Sequence, residues 1–163
     1  TTTSGGRLFD AVAALVGLRH RATYEGQGPI ELEACAAGVP LGSVPGYDLD
    51  VDVDGGLVVV DPAPLVSRVV AEHDAATPVA LISAGFHDGL GRGLADAAVT
   101  LARRHGLETV ALSGGVFQNA RLTEVVARAV TEAGLEVLVH ERVPPNDGGI
   151  SIGQAAIVAL GQQ

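Results

Sequence analysis

The sequence predicts an α/β protein, helix-rich with a small sheet. Three observations carry this. Residues 110–119 read as a short apolar strand running into a glycine turn and then a helix. Residues 47–60 alternate, with Leu49, Val51 and Val53 interleaved among Asp48, Asp50, Asp52 and Asp54, as a half-buried strand does. Thr77-Pro78 opens a long helical stretch that runs to about His105.

Taken in order, Ser4 is placed to cap a helix starting near Gly6, with Leu8, Phe9, Val12, Leu15 and Val16 at helical spacing and Gly17 as its stop. Residues 17–28 read as a loop, followed by a helix over about 29–37 that begins at Pro29 and carries Cys35. Free cysteines are usually small buried hydrophobes, and nothing supplies this one with a base. Asp54-Gly55-Gly56 is a hairpin turn, and residues 57–60 return from it. The four aspartates lack the closing Glu of a calcium loop and read as a solvated edge. Asp61-Pro62 starts a helix with Leu65, Val66, Val69 and Val70 on its apolar face. Gly85, Gly89, Gly91 and Gly93 interrupt the long helix, which implies a bend or close packing against a neighbour. Strands are expected over 107–112 and 135–140, with a helix between them ending at Gly134. Ile150, Ile152, Ala155, Ala156 and Val158 to Leu160 form an apolar last helix, expected to pack in the core.

The length of 163 residues is expected to form one domain over 1–163 with a real core, and 47% hydrophobic residues exclude a disordered chain. A net charge of −9 argues against a nucleic-acid surface. No apolar run approaches the roughly 20 residues of a membrane span, so no membrane partner is expected. The single cysteine excludes an internal disulfide and, without a signal peptide, fits a cytoplasmic setting.

The chemistry concentrates between residues 110 and 154. Glycines at a strand-to-helix turn, Ser113-Gly114-Gly115, allow a ligand to approach the backbone, and the N–H groups that follow favour a phosphate. Pro144-Pro145-Asn146-Asp147-Gly148-Gly149 presents one carboxylate, Asp147, between a rigid entry and a flexible exit. On spacing alone both are equally ordinary turns before helices.

Ser-Gly-Gly-Val-Phe-Gln-Asn and Pro-Pro-Asn-Asp-Gly-Gly-Ile-Ser-Ile-Gly-Gln, preceded by residues 7–17 and Tyr24-Glu-Gly-Gln27 in the same order, resemble the carboxy-terminal part of the HypF carbamoyltransferases of [NiFe]-hydrogenase maturation. The resemblance covers nearly the whole chain. That domain is similar to the tRNA threonylcarbamoyl transferase TsaD, and it implies one lobe of an actin/sugar-kinase/Hsp70-like fold. The start, Thr-Thr-Thr-Ser-Gly-Gly without Met, falls within a larger domain of that family, so the chain is read as a fragment.

The resemblance implies a reaction and a set of roles. ATP and carbamoyl phosphate give carbamoyl adenylate in another domain, and the carbamoyl group then moves to the C-terminal cysteine of HypE. Gly114 and Gly115 place N–H groups on the phosphate, beside Ser113. Asn119, Asp10 and Gly26 position the adenosine and carbamoyl parts, Asp10 through a ribose hydroxyl, and Glu25 bonds the carbamoyl amide or the sugar. Without the resemblance, Asp10 is a polar-face residue in the first turns of a helix and Asn119 makes local hydrogen bonds to the backbone. His87, in a Phe-His pair, lies near the nucleotide cleft or is simply packed. Asp147 holds a divalent metal, iron or zinc, with two histidines contributed from outside this chain; alone it binds metal weakly or not at all. No catalytic base is identifiable. The partners implied are the rest of the HypF polypeptide and HypE, with a homodimer of the fragment if its open apolar wall pairs. The competing readings are a non-catalytic nucleotide-binding or docking lobe and an O-carbamoyltransferase acting on a small molecule.

Overall fold

The computed structural model describes residues 3–54 and 56–161, with the Asp54 side chain left out of that description. The expected roles of Gly55 in the hairpin turn and of the Asp54 carboxylate therefore lie outside the described residues. Among the described residues, six α-helices run in the order α1 (Gly5–Leu15), α2 (Gln27–Ala36), α3 (Ala63–Asp74), α4 (Val79–His105), α5 (Ala120–Glu132) and α6 (Ile150–Leu160). Two small sheets, rather than one, accompany them among the described residues. An antiparallel hairpin pairs β1 (Asp50–Asp54) with β2 (Leu57–Asp61), and a parallel pair joins β3 (Thr109–Ala111) to β4 (Glu136–Leu138).

The hairpin keeps the sequence's alternation through Leu49, Asp50, Val51 and Asp52, with the aspartates exposed, but Val53 near the tip is 42% exposed. Asp61 starts α3 by accepting the Ala63 N–H at 2.9 Å, so Pro62 takes the N-cap position rather than the first helical one. The helix after the first loop begins two residues before Pro29, because Gly26 adopts φ 77°, ψ 5° and turns the chain into it.

α4 is continuous through its four internal glycines, and close packing explains them. A Cβ on Gly85 would lie 2.6 Å from the Tyr47 ring, and one on Gly93 2.7 Å from Leu49. A Cβ on Gly89 would collide with the Tyr47 carbonyl oxygen, and one on Gly91 with Val125 at 2.6 Å. The segment before the hairpin thus lies directly on one side of α4, held by the Tyr47 N–H on the Gly85 carbonyl at 3.0 Å, while α5 closes on another. Around α4 the core gathers Phe9 and Val12 of α1, Leu32 of α2, Leu65 and Val69 of α3, and Leu122, Val126 and Val130 of α5.

The last helix departs from expectation. Every described residue of α6 is exposed, including Ile157 at 73% and Leu160 at 70%. Its apolar composition gave no direction to pack in, and among the described residues its substantial neighbour is the turn that precedes it. No described helix is long and apolar enough to cross a membrane.

Candidate functional site

Because β3 and β4 are parallel, their carboxyl ends point the same way. The chain leaves β3 through Ser113-Gly114-Gly115 and leaves β4 through the segment carrying Asn146 and Asp147, so the two loops emerge side by side. Ligands of α/β proteins collect at such strand ends. The Leu112 N–H donates to the Leu138 carbonyl at 2.9 Å, and the Gly114 N–H to the Pro145 carbonyl at 2.8 Å, which ties the loops together.

Gly114 sits at φ 104°, ψ 159°, a backbone region that side chains disfavour. Its N–H donates to the Pro145 carbonyl, so in this structure the donor expected to meet a phosphate is taken up between the loops. Gly114 supplies the turn and the loop-to-loop bond. Gly115 begins a 3₁₀ turn, Gly115–Gln118, whose first N–H groups have no partner within the turn. Ser113 is exposed, its hydroxyl 3.1 Å from His140 Nε2.

Asp147 opens a second 3₁₀ turn, Asp147–Gly149, where the Asn146 side chain accepts the Gly148 N–H at 3.1 Å. Its carboxylate is exposed. Among the described residues no three His, Cys, Asp or Glu side chains converge, so Asp147 offers a single donor that does not by itself amount to a metal centre.

Asn119 caps α5, its Oδ1 accepting the Leu122 N–H at 2.8 Å, and is only 8% exposed. Its Nδ2 lies 2.9 Å from His87 Nε2. His87 has no exposed surface, and its Nδ1 lies 2.7 Å from the Ser83 carbonyl oxygen. A carbonyl only accepts, so Nδ1 carries the proton and Nε2 is the bare acceptor of the Asn119 amide. Burial pulls the His87 pKa down to about 4, outweighing the Ser83 carbonyl, which raises it; the Arg121 charge lowers it by less and Asp88 raises it by less still, so the ring is neutral at pH 7. His87 is therefore buried behind Asn119, with both ring nitrogens already engaged.

Asp10 is half-buried on α1, 3.6 Å from Arg7 and packed beside Gly28, where an added Cβ would stand 3.4 Å from Asp10 Oδ1. Gly26 lies at the N-cap of α2 and Glu25 is exposed just before it. Gln27 secures this corner, accepting the Thr23 N–H at 2.8 Å and donating to Glu31 at 3.0 Å, and Arg19 completes it through Glu31. Asp10 makes no hydrogen bond to Asn119 or Asp147; the corner is joined to the glycine loop through packing, Gly5 against Val116 and Phe9 against the His87 ring at 5.2 Å. The site is thus two clusters, the paired loops and the α1–α2 corner, bridged by α1.

A buried ion pair went unnoticed in the sequence. Arg121 holds Asp88 bidentately, at 2.8 and 3.1 Å, and donates to the Val39 carbonyl at 2.6 Å, while Asp88 also accepts the Gly42 N–H at 3.1 Å. Glu33 of α2 accepts the Ala120 N–H at 2.6 Å, placing an anion at the start of α5. The available signal was a cation in a helix's first turn, where the dipole disfavours it, and an acid amid an apolar glycine-rich run. Hollows of about 340 and 750 Å³ flank this pair, and neither is lined by the glycine loop or Asp147.

Residues 1–154 match the family model for the second subdomain of the Kae1-like domain of carbamoyltransferases. The chain belongs to the HypF carbamoyltransferase family. It is 38% identical to the carbamoyltransferase HypF of Synechocystis, covering 94% of this chain and 19% of that protein. It is 40% identical to the HypF of Rhizobium leguminosarum, covering 95% and 19%. A crystal structure of full-length HypF in its phosphate- and nucleotide-bound form superimposes with a TM-score of 0.86 at 36% identity, over 95% of this chain and 20% of that one. A tRNA N6-adenosine threonylcarbamoyltransferase of Synechococcus is also similar, at 31% identity over 94% of this chain and 41% of that protein. The chain spans about a fifth of the length of these HypF relatives.

Proposed function

We propose that this chain is the nucleotide-facing part of a HypF-type carbamoyltransferase, one lobe of an actin/sugar-kinase/Hsp70-like domain that works in the cytoplasm. It binds carbamoyl adenylate, or ATP, at the paired loops. The carbamoyl group passes to the C-terminal cysteine of HypE, whose thiolate attacks the carbamoyl carbon as AMP leaves. The bond from the Gly114 N–H to the Pro145 carbonyl carries this reading, since it brings the glycine turn and the Asn-Asp-Gly turn to one place in a HypF family member. Gly115 donates to a phosphate oxygen, Asn119 offers a carboxamide N–H, and Asp10, Gly26 and Glu25 take the sugar side. Ser113 lines the turn. Asp147 contributes one carboxylate to a divalent-metal site completed by groups outside this chain.

Calorimetry with AMP tests the reading. Binding that Gly115→Pro abolishes, by removing the donor, supports it; a chain that takes up no AMP, alone or with the remainder of such a polypeptide, sinks it. A docking role is the second reading, favoured by the bare apolar flank of α6 and by the absence of the paired loops from the two hollows. The rest of a HypF-type polypeptide is its first partner, and a second copy of the chain is the alternative.

A further inference from the structure

We propose that His87 is a positioning residue that fixes which way the Asn119 carboxamide faces, so that Asn119 meets its ligand as a hydrogen-bond donor. This rests on Asn119 being a ligand group, as read above. The imidazole cannot turn, because Phe9 and Phe86 pack edge-on against it at centroid distances of 5.2 and 5.4 Å. It cannot exchange tautomers without losing the Ser83 carbonyl, and the Ser83 hydroxyl is in turn held on the Leu32 carbonyl of α2 at 2.5 Å. With Nε2 an acceptor only, it must face the amide nitrogen of Asn119, which sends Oδ1 to the Leu122 N–H. Both ends of the carboxamide are thereby assigned. Among the described residues, the second Nδ2–H has no protein partner, and it is the donor left for an incoming oxygen. The ligand atom selected is a hydroxyl, carbonyl or phosphate oxygen, not an N–H.

AMP binding to this chain, joined to the remainder of a HypF-type polypeptide if the chain alone takes up none, is measured for the wild type, His87→Phe, Asn119→Ala and the double variant. Phenylalanine keeps the aromatic packing and removes the acceptor. The expected result is a Kd about tenfold higher for each single variant, with the double variant no weaker than Asn119→Ala. Wild-type affinity in His87→Phe alongside weak binding by Asn119→Ala overturns the positioning role and leaves the Asn119 reading standing. Wild-type affinity in Asn119→Ala, or no AMP binding by the wild type, overturns the Asn119 reading and the proposal with it. Should His87→Phe fail to fold, nitrogen-labelled imidazole spectra of the wild type decide: a proton on Nδ1 supports the arrangement, and a proton on Nε2 overturns it.

Discussion

At the residue scale, His87 shows how burial turns an ordinary side chain into a fixed one. Its folded pKa is pushed down to about 4 from 6.5, so as pH falls below 6.5 the unfolded chain takes up this proton first. Its contribution is whole above pH 6.5 and declines toward pH 4, a loss of about 3 kcal/mol in all. Denaturant unfolding at stepped pH should show that decline in the wild type and lack it in His87→Phe. The glycines of α4 make a second residue-scale case. Gly89→Ala drives a methyl into the Tyr47 carbonyl and should cost about 3 kcal/mol in chemical unfolding. Gly153→Ala, in open space on α6, should cost nothing and gain up to about 1 kcal/mol. The glycine spacing in the sequence left bending and close packing as alternatives; only the segment lying against the helix separates them.

At the element scale, α2, α4 and α5 are clamped by one ion pair. The Asp88 side chain is 1% exposed and that of Arg121 9%, and no buried side-chain polar atom among the described residues lacks a partner. Arg121→Ala leaves a buried carboxylate uncompensated, and thermal or urea unfolding should read a loss of about 3–5 kcal/mol. The elements themselves were legible because amphipathic period and turn residues are local properties. Phe9 and Val12, or Leu122 and Val126, announce their helices by spacing alone. The pairing of Asp88 with Arg121 was not legible, since thirty-three positions separate them and neither residue's neighbours specify the other.

At the scale of the whole molecule, α6 marks where this chain's own packing stops. Ile157 and Leu160 toward its end are 73% and 70% exposed, so Ile157→Lys with Leu160→Lys should leave unfolding free energy within about 0.5 kcal/mol of wild type. The same pair of changes should reduce self-association in sedimentation experiments, because it breaks an exposed apolar flank. Sequence by itself determined the α/β class, the hairpin, the two turns that carry the candidate chemistry, and the family. Each of these is written in local pattern or in motif. Tertiary structure alone decided that the Gly114 N–H bonds the Pro145 carbonyl, that both His87 ring nitrogens are engaged by Ser83 and Asn119, and that α6 stands outside the core. Those outcomes depend on which surfaces meet, and composition records how apolar a surface is without recording what it will find to touch.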